Sequence, residues 1–280
     1  MVLSRSVGGD IGITIIMLLL GAVMFLPMYY IVIQSLKPLD ELFYFPPRFY
    51  VINPSFDNFG DLFNLLNTSW VPFSRYLFNT IFITVCGTFG QLVLSSLCAY
   101  ALSRIPFPGR VGVFQIIQKS LMIGAGVGSM IVFIIITRIG LLDNHLAIII
   151  PTLAAPLGLY LMKQFIDTNV STQILESARL DGAGEFRIFW SIAMPMVKPA
   201  WLTLIIYSFQ GLWNTGANIY IYSEQLKTLN YTITQVLSEG IVRSGASAAS
   251  TVVMMLVPIV VFVVSQSQII ETMGSSGMKD

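Results

Sequence analysis

Residues 11–33 read IGITIIMLLLGAVMFLPMYYIVI, a run with no formal charge. As a helix it would extend about 34 Å, enough to cross the ~30 Å hydrocarbon layer of a bilayer. Arg5 precedes the run, as in a secretory signal, but the run is longer than a signal core and no small-residue cleavage site follows. It reads as a retained span. Five further stretches have the same character: 76–102, 121–137, 146–162, 200–222 and about 248–264. The two between 121 and 162 are near the short limit and are expected to gain a turn at one end. Pro27, Pro151, Pro156 and Pro258 fall within or beside these stretches. A helical bundle tolerates them, because neighbouring helices can satisfy the freed backbone groups. Composition agrees, with 55% hydrophobic and 10% charged residues among 280, where soluble domains carry roughly 25% charge. The expected fold is an all-α integral membrane bundle of six transmembrane helices, forming one domain over residues 1–280.

Charge placement orients the bundle. The connection RIPFPGR after the second stretch holds Arg104 and Arg110 without an acid, whereas the connection after the third sets Arg138 against Asp143. Positive-inside counting puts RIPFPGR, both termini and the 164–199 loop in the cytoplasm. Residues 37–75 and 223–247 then face outward. Phe56, Phe59, Phe63 and Leu66 recur at helical spacing, so a short helix is expected on the membrane surface or against the bundle.

Several functions are poorly supported. A net charge of +1 without a basic run gives no reason for a nucleic-acid partner. Cys86 and Cys98 lie about three turns apart on one apolar stretch, too far for a disulfide and at no metal-ligand spacing. They read as small buried hydrophobes. His145 is the single histidine and sits at a helix boundary, so no metal site is expected. No G-x-x-x-x-G-K-[ST] occurs, so ATP cannot be bound here through a P-loop. The run 124–128, GAGVG, suits close helix packing rather than a dinucleotide. No charge falls at the centre of a span, which disfavours the ion relay of a secondary transporter. No paired nucleophile and base stands out, so the chain carries no expected catalytic residue and no cofactor.

The 164–199 loop contains ESARLDGAGEFRIFWSIAMP, Glu176 to Pro195. Glu176 to Leu180 favours a helix, and Gly182 supplies a break or a permissive turn. A second segment with Phe186, Phe189 and Trp190 has an apolar face before Pro195. Asp181 would sit near the second helix's N-terminus, where negative charge is favourable. Two short helices meeting at a glycine make a protruding elbow suited to docking another protein.

This segment resembles the EAA signature of ABC importer permeases, placing Glu176, Ala178, Asp181, Gly182, Ala183, Phe189, Ile192 and Pro195 on that pattern. Ser177 replaces an alanine and Met194 a leucine. FNTIFITV and LSSLCAYALSRIPFPGR resemble the second span and inner loop of the carbohydrate (maltose-type) permeases. IGLLDNHLAIIIP from Ile139 is similar to their G-L-x-[ND] stretch. Phe209, Trp213 and Asn214 fall on their F-x-x-x-W-N motif, and ETMGSSGMKD resembles the tail of the smaller, second permease subunit. The family's usual F-L-W-P after that motif is TGAN here. The resemblance implies coupling to an ATPase through Glu176, Ser177, Ala178, Asp181, Gly182 and Ala183. It also implies a second permease subunit, two copies of an ATP-binding subunit where ATP and Mg act, and an extracellular solute-binding protein. The membrane is then the bacterial inner (plasma) membrane, and the substrate a sugar or oligosaccharide, the alternative being an importer permease for a non-carbohydrate solute.

Tyr207, Gln210, Asn214 and Asn218 recur at three- and four-residue spacing and so would share one helical face. They carry hydrogen-bonding groups without charge, which lipid would not satisfy. The face is expected to line either a seam with the partner permease or a sugar path. In the latter, Trp213 or Tyr207 would offer a ring for stacking.

Overall fold

The computed structural model describes residues 7–67, 71–122, 125–216, 219–237 and 243–276. Among these residues every regular element is helical. The order is α1 Val7–Leu36, α2 Leu39–Leu42, α3 Asp57–Asn67, α4 Phe73–Arg104, α5 Arg110–Ser120, α6 Ala125–Ile139 and α7 Leu146–Leu153. There follow α8 Pro156–Asn169, α9 Thr172–Leu180, α10 Glu185–Ile188, α11 Met194–Met196, α12 Lys198–Trp213, α13 Leu229–Leu237 and α14 Ser244–Ser276. A π turn, Phe189–Ala193, joins α10 to α11.

Among the described residues four helices are long and apolar enough to cross a membrane: Gly8–Leu36, Phe73–Arg104, Leu146–Asn169 (α7 with α8) and Ser244–Gln266. The pair Glu185–Met196 and Lys198–Trp213 qualifies only together, across an 84° bend. Over the stretch expected at 121–137, the described helix runs from Ala125 to Ile139, 15 residues. The stretch expected at 200–222 stops as a helix at Trp213. Its end is tertiary in origin. Asn214 caps α12, and its carbonyl accepts from Asn230 Nδ2 at 2.7 Å.

The described chain divides into two compact units. The first comprises residues 1–70 and 233–256. Within the α1 span none of the most apolar window is buried, so its side chains meet a solvent other than this chain. Burial begins only near its end, at Ile33 and Ser35. There Asn58 of α3 donates to the carbonyls of Ser35 at 2.9 Å and Lys37 at 2.7 Å, and the Lys37 ammonium donates to the Arg48 carbonyl at 2.6 Å. The helix expected from the phenylalanine spacing is therefore present, but it buries Asn58, Leu62 and Leu66 and exposes Phe56 and Phe63. The Asn58 bonds fix which face turns inward.

The second unit comprises residues 71–232 and 257–280. In it α4 packs against α7, α8 and α12. Glycines permit the close approach: a Cβ on Gly87 would lie 2.6 Å from Leu212 Cδ1, and one on Gly158 2.8 Å from Leu204 Cδ1. Such small-residue contacts hold membrane helices together where lipid supplies no hydrophobic driving force. A polar stripe, Gln91, Ser95 and Ser208, is buried in the same interface, with Ser208 donating to Gln91 Oε1 at 2.5 Å. Cys86 and Cys98 are free, as expected, but exposed rather than buried. An apolar sequence does not distinguish a lipid-facing position from a core one.

Candidate functional site

The elbow at 172–196 is built from a helix ending that its sequence specifies. Ser171 caps α9, its hydroxyl accepting from the Gln173 amide at 3.2 Å. At the other end the Gly182 amide donates to the Arg179 carbonyl and the Ala183 amide to the Ala178 carbonyl, both at 3.0 Å. This is the Schellman pattern, in which the residue after the cap takes a left-handed conformation. Gly182 does so, with φ +81°. The two alanines that bracket it are half-buried against the same apolar cluster. The spacing A-x-x-D-G-A thus has a physical reading: a small residue, a cap, the left-handed glycine, and a second small residue meeting the first. Asp181 is the C-cap of α9 rather than an N-terminal charge on α10. Gly184 caps that helix and Glu185 is the acid in its first turn.

Glu185 ties the elbow to the end of α4. Its Oε1 accepts from Arg179 Nε at 2.6 Å and its Oε2 from the Tyr100 hydroxyl at 2.9 Å. The Arg179 bond holds the Glu185 carboxyl below the usual carboxylate range. Tyr100 is buried, edge-on to Phe189 at 5.5 Å between ring centroids. One turn on, Arg104 Nη2 donates to the carbonyls of Ile166 at 2.7 Å, Asp167 at 3.1 Å and Val170 at 2.5 Å. A cation there complements the negative end of α8. The outer surface of the elbow stays bare: Leu180 is 89% exposed, with Phe186 and Trp190 also exposed. Glu176 and Ser177 are exposed on α9, and Ser177 bonds only back to the Gln173 carbonyl.

The other end of α4 holds a second cluster. Asn79 donates to the carbonyls of Gln225 at 2.8 Å and Lys227 at 3.0 Å, and the Leu229 amide donates to Thr80 Oγ1 at 2.8 Å. Tyr76 donates to Glu224 Oε1 at 3.1 Å. Beside it Asp143, at φ +58°, accepts from the amides of Tyr222 and Ser223 and from the Ser223 hydroxyl. Those bonds from Ser223 first, then Tyr222, lower the Asp143 pKa. An aspartate or asparagine suits the place because both tolerate the left-handed region and offer an acceptor.

Of the α12 residues, Tyr207, Gln210 and Asn214 are all exposed. Trp213 is not available for stacking: it is 3% exposed and parallel to Phe209 at 5.7 Å. Asn214 lies just past the helix, and Asn218 is outside the described residues. Tyr100, Arg179 and Glu185 were not singled out from sequence, and Arg104 only as an inward-facing charge. Tyr100 and Arg104 nonetheless lie within AYALSR, and Asn79, Thr80 and Asp143 within the other quoted stretches, so the signal was present without a role attached.

Among the described residues, then, apolar spans accompany an elbow whose crest is exposed, as in a transport permease that works with other subunits. Residues 13–272 match the binding-protein-dependent transport system inner membrane component family, and the chain belongs to it. It is similar to the arabinooligosaccharides transport system permease protein AraQ of Bacillus subtilis, at 27% identity over 274 residues covering 96% of this chain and 95% of the relative. It is also similar to the melibiose/raffinose/stachyose import permease protein MelC of Bacillus subtilis, at 27% identity covering 95% of this chain and 96% of the relative. In fold it resembles a chain of a bacterial ABC transporter involved in the import of the acidic polysaccharide alginate, with TM-score 0.78 and 24% identity over 94% of this chain and 98% of that one.

Proposed function

We propose that the chain is the smaller, second permease subunit of an ATP-driven importer in the bacterial inner membrane, moving a sugar or oligosaccharide delivered by an extracellular solute-binding protein. Six spans, with both termini cytoplasmic, would form one permease domain over residues 1–280, coupled through the 164–199 loop. The chain itself is no enzyme. ATP and Mg act in two copies of a partner subunit.

The observation that carries this reading is the elbow, whose exposed Leu180, Phe186 and Trp190 form an apolar crest while Glu185 is bonded to Tyr100 of α4. Exposed apolar side chains on a loop rich in charge fit a protein partner. Glu176, Ser177, Ala178, Asp181, Gly182 and Ala183 shape that docking element, the alanines and glycine by setting its turn and the exposed polar groups by meeting the partner. Closure of the ATP-binding subunits would move the elbow, and Tyr100 and Arg104 would carry the displacement into α4 and α8. The grouping of contacts supports the orientation: residues 166–185 gather at the C-terminal end of α4, whereas 143 and 220–229 gather with its N-terminal end.

The substrate side rests on α12. Tyr207, Gln210 and Asn214 present hydroxyl and amide groups without charge on an exposed surface, which suits a neutral polyhydroxylated solute. The named substrates of AraQ and MelC are oligosaccharides. Changing Gln210 and Asn214 together to leucine tests the role. A path predicts lost sugar uptake by a complex that assembles and hydrolyses ATP; failure to assemble would instead make the face a seam with the partner permease.

A further inference from the structure

The loop between α2 and α3 carries a feature that transport does not use. From Leu42 to Ile52 the sequence is LFYFPPRFYVI, with Arg48 its sole formal charge. Phe45 is 91% exposed, and Tyr44, Phe49 and Tyr50 are each more than half exposed. The loop does not stand clear of the spanning helix. It folds back along α1, where the Tyr29 hydroxyl donates to the Phe49 carbonyl at 3.3 Å and the Phe49 ring meets Tyr30 at 5.5 Å. Tyr30 lies six residues before the end of α1, about 9 Å down the axis. It also precedes Ile33, the last residue of the apolar run. The aromatic loop is therefore level with the apolar part of the helix, near its end.

The cation at its centre meets aromatic rings rather than an acid. The Arg48 guanidinium stands over the Tyr44 ring at 4.5 Å and near the Tyr50 ring at 5.9 Å. It has no carboxylate partner among the described residues. Glu41, the nearest acid in sequence, instead accepts from the amides of Ile52 and Asn53 at 3.1 and 2.9 Å. Rings of mixed apolar and polar character favour the membrane interface. A guanidinium there, with its stem among aromatics, presents planar donors that match a phosphate.

We propose that residues 43–50 are an interfacial membrane anchor, with the aromatic side chains inserted at the boundary and Arg48 bonded to a lipid headgroup phosphate. A soluble protein partner fits less well, because the loop is placed against the lipid-exposed flank of α1 and below its end. The inference needs α1 to span the membrane and does not depend on what the importer carries.

The test uses the full chain in its assembled complex, reconstituted in phosphatidylethanolamine–phosphatidylglycerol vesicles. Phe45→Trp places a reporter at the most exposed ring, and its emission is the difference from the parent protein. Insertion predicts a blue-shifted emission, quenched by lipids brominated near the headgroup end of the acyl chain and shielded from aqueous acrylamide. Adding Arg48→Gln should cause a loss of that lipid quenching; unchanged quenching would overturn the phosphate contact. Acrylamide quenching without bromolipid quenching would overturn the anchor in favour of a water-exposed loop. Shielding from both quenchers would overturn it in favour of a protein-covered surface. Sugar uptake by the parent, measured in the same vesicles, tests the transport reading separately.

Discussion

Tyr100 and Glu185, 85 positions apart in the chain, share a 2.9 Å hydrogen bond that joins the end of α4 to the elbow. It is one of two bonds on the same carboxylate, the other coming from Arg179 at 2.6 Å. Tyr100 is buried whereas the Glu185 side chain is 47% exposed. The link therefore has a sheltered donor and a partly screened acceptor.

Removing the hydroxyl with Tyr100→Phe keeps the ring against Phe189 and deletes only that link. Hydrogen bonds to charged groups contribute about 1.5–3 kcal/mol, and solvent at Glu185 reduces this to about 1 kcal/mol. The variant should assemble normally and lose part of the stimulation of ATP hydrolysis by loaded binding protein. Full stimulation in reconstituted vesicles would count against α4 as the recipient of elbow movement.

Gly182 separates conformational strain from crowding, since no atom lies within 4 Å of where its Cβ would be. Its φ of +81° is the whole constraint. A left-handed backbone costs an L-residue roughly 1–2 kcal/mol, and asparagine tolerates it best. Uptake should fall in the order Gly182→Asn, Gly182→Ala, Gly182→Val, with membrane insertion unchanged. Equal activity in all three would remove the turn from the mechanism.

Asp143 makes a pH-dependent latch between its loop and residues 222–223. Its carboxyl titrates below the ordinary range because of bonds made only in the fold. The stabilisation is therefore full above the unfolded-state pKa and disappears as pH falls through the lowered folded value. Asp143→Asn keeps an acceptor and the tolerance for positive φ. Asp143→Ala keeps neither, so the exposed amides of Tyr222 and Ser223 exchange their acceptor for water, at a cost of about 0.5–1.5 kcal/mol. Amide exchange at Tyr222 and Ser223 should quicken by roughly two- to tenfold in the alanine variant at neutral pH, and much less in the asparagine one. Identical exchange in both would mean the latch is not formed.

Gly158 tests packing away from either end. A Cβ there would meet Leu204 Cδ1 at 2.8 Å, Ser95 Oγ at 3.1 Å and Gln91 Nε2 at 3.3 Å. Leu204 is fully buried, so its Cδ1 can shift only by repacking its neighbours. Gly158→Ala should cost about 1–3 kcal/mol, seen as a lower melting temperature of the purified complex. An unchanged melting temperature would show that α4, α8 and α12 are more loosely joined than these distances imply.

The elbow was legible from sequence because its signals are local: Gly182, the flanking alanines and the aromatic run each act within a few residues. Contacts made across the fold were not. The end of α12 depends on Asn230 meeting the Asn214 carbonyl from 16 residues away, so helical spacing alone extended the face too far. Trp213 was offered as a stacking ring on its chemistry, yet Phe209 already covers it. The inward face of α3 carries Asn58, Leu62 and Leu66, of which the aromatic spacing names only Leu66. Periodicity reports that a face exists; hydrogen bonds to distant carbonyls decide which way it turns.

Between Asn79 and Tyr100 the α4 helix is continuous and contains no proline, a length of about 32 Å. A rod of that kind has little axial give. The compliant places along the line are at its ends, in the glycine turn and π turn on one side and the short 224–226 turn on the other. If the elbow couples to an ATP-binding subunit as proposed, stiffness in the middle and softness at the tips would make the helix a push rod with two joints. Movement entering at Glu185 would reach Gln225 with little lost to bending, so the amount transmitted is set by how tightly each joint is gripped.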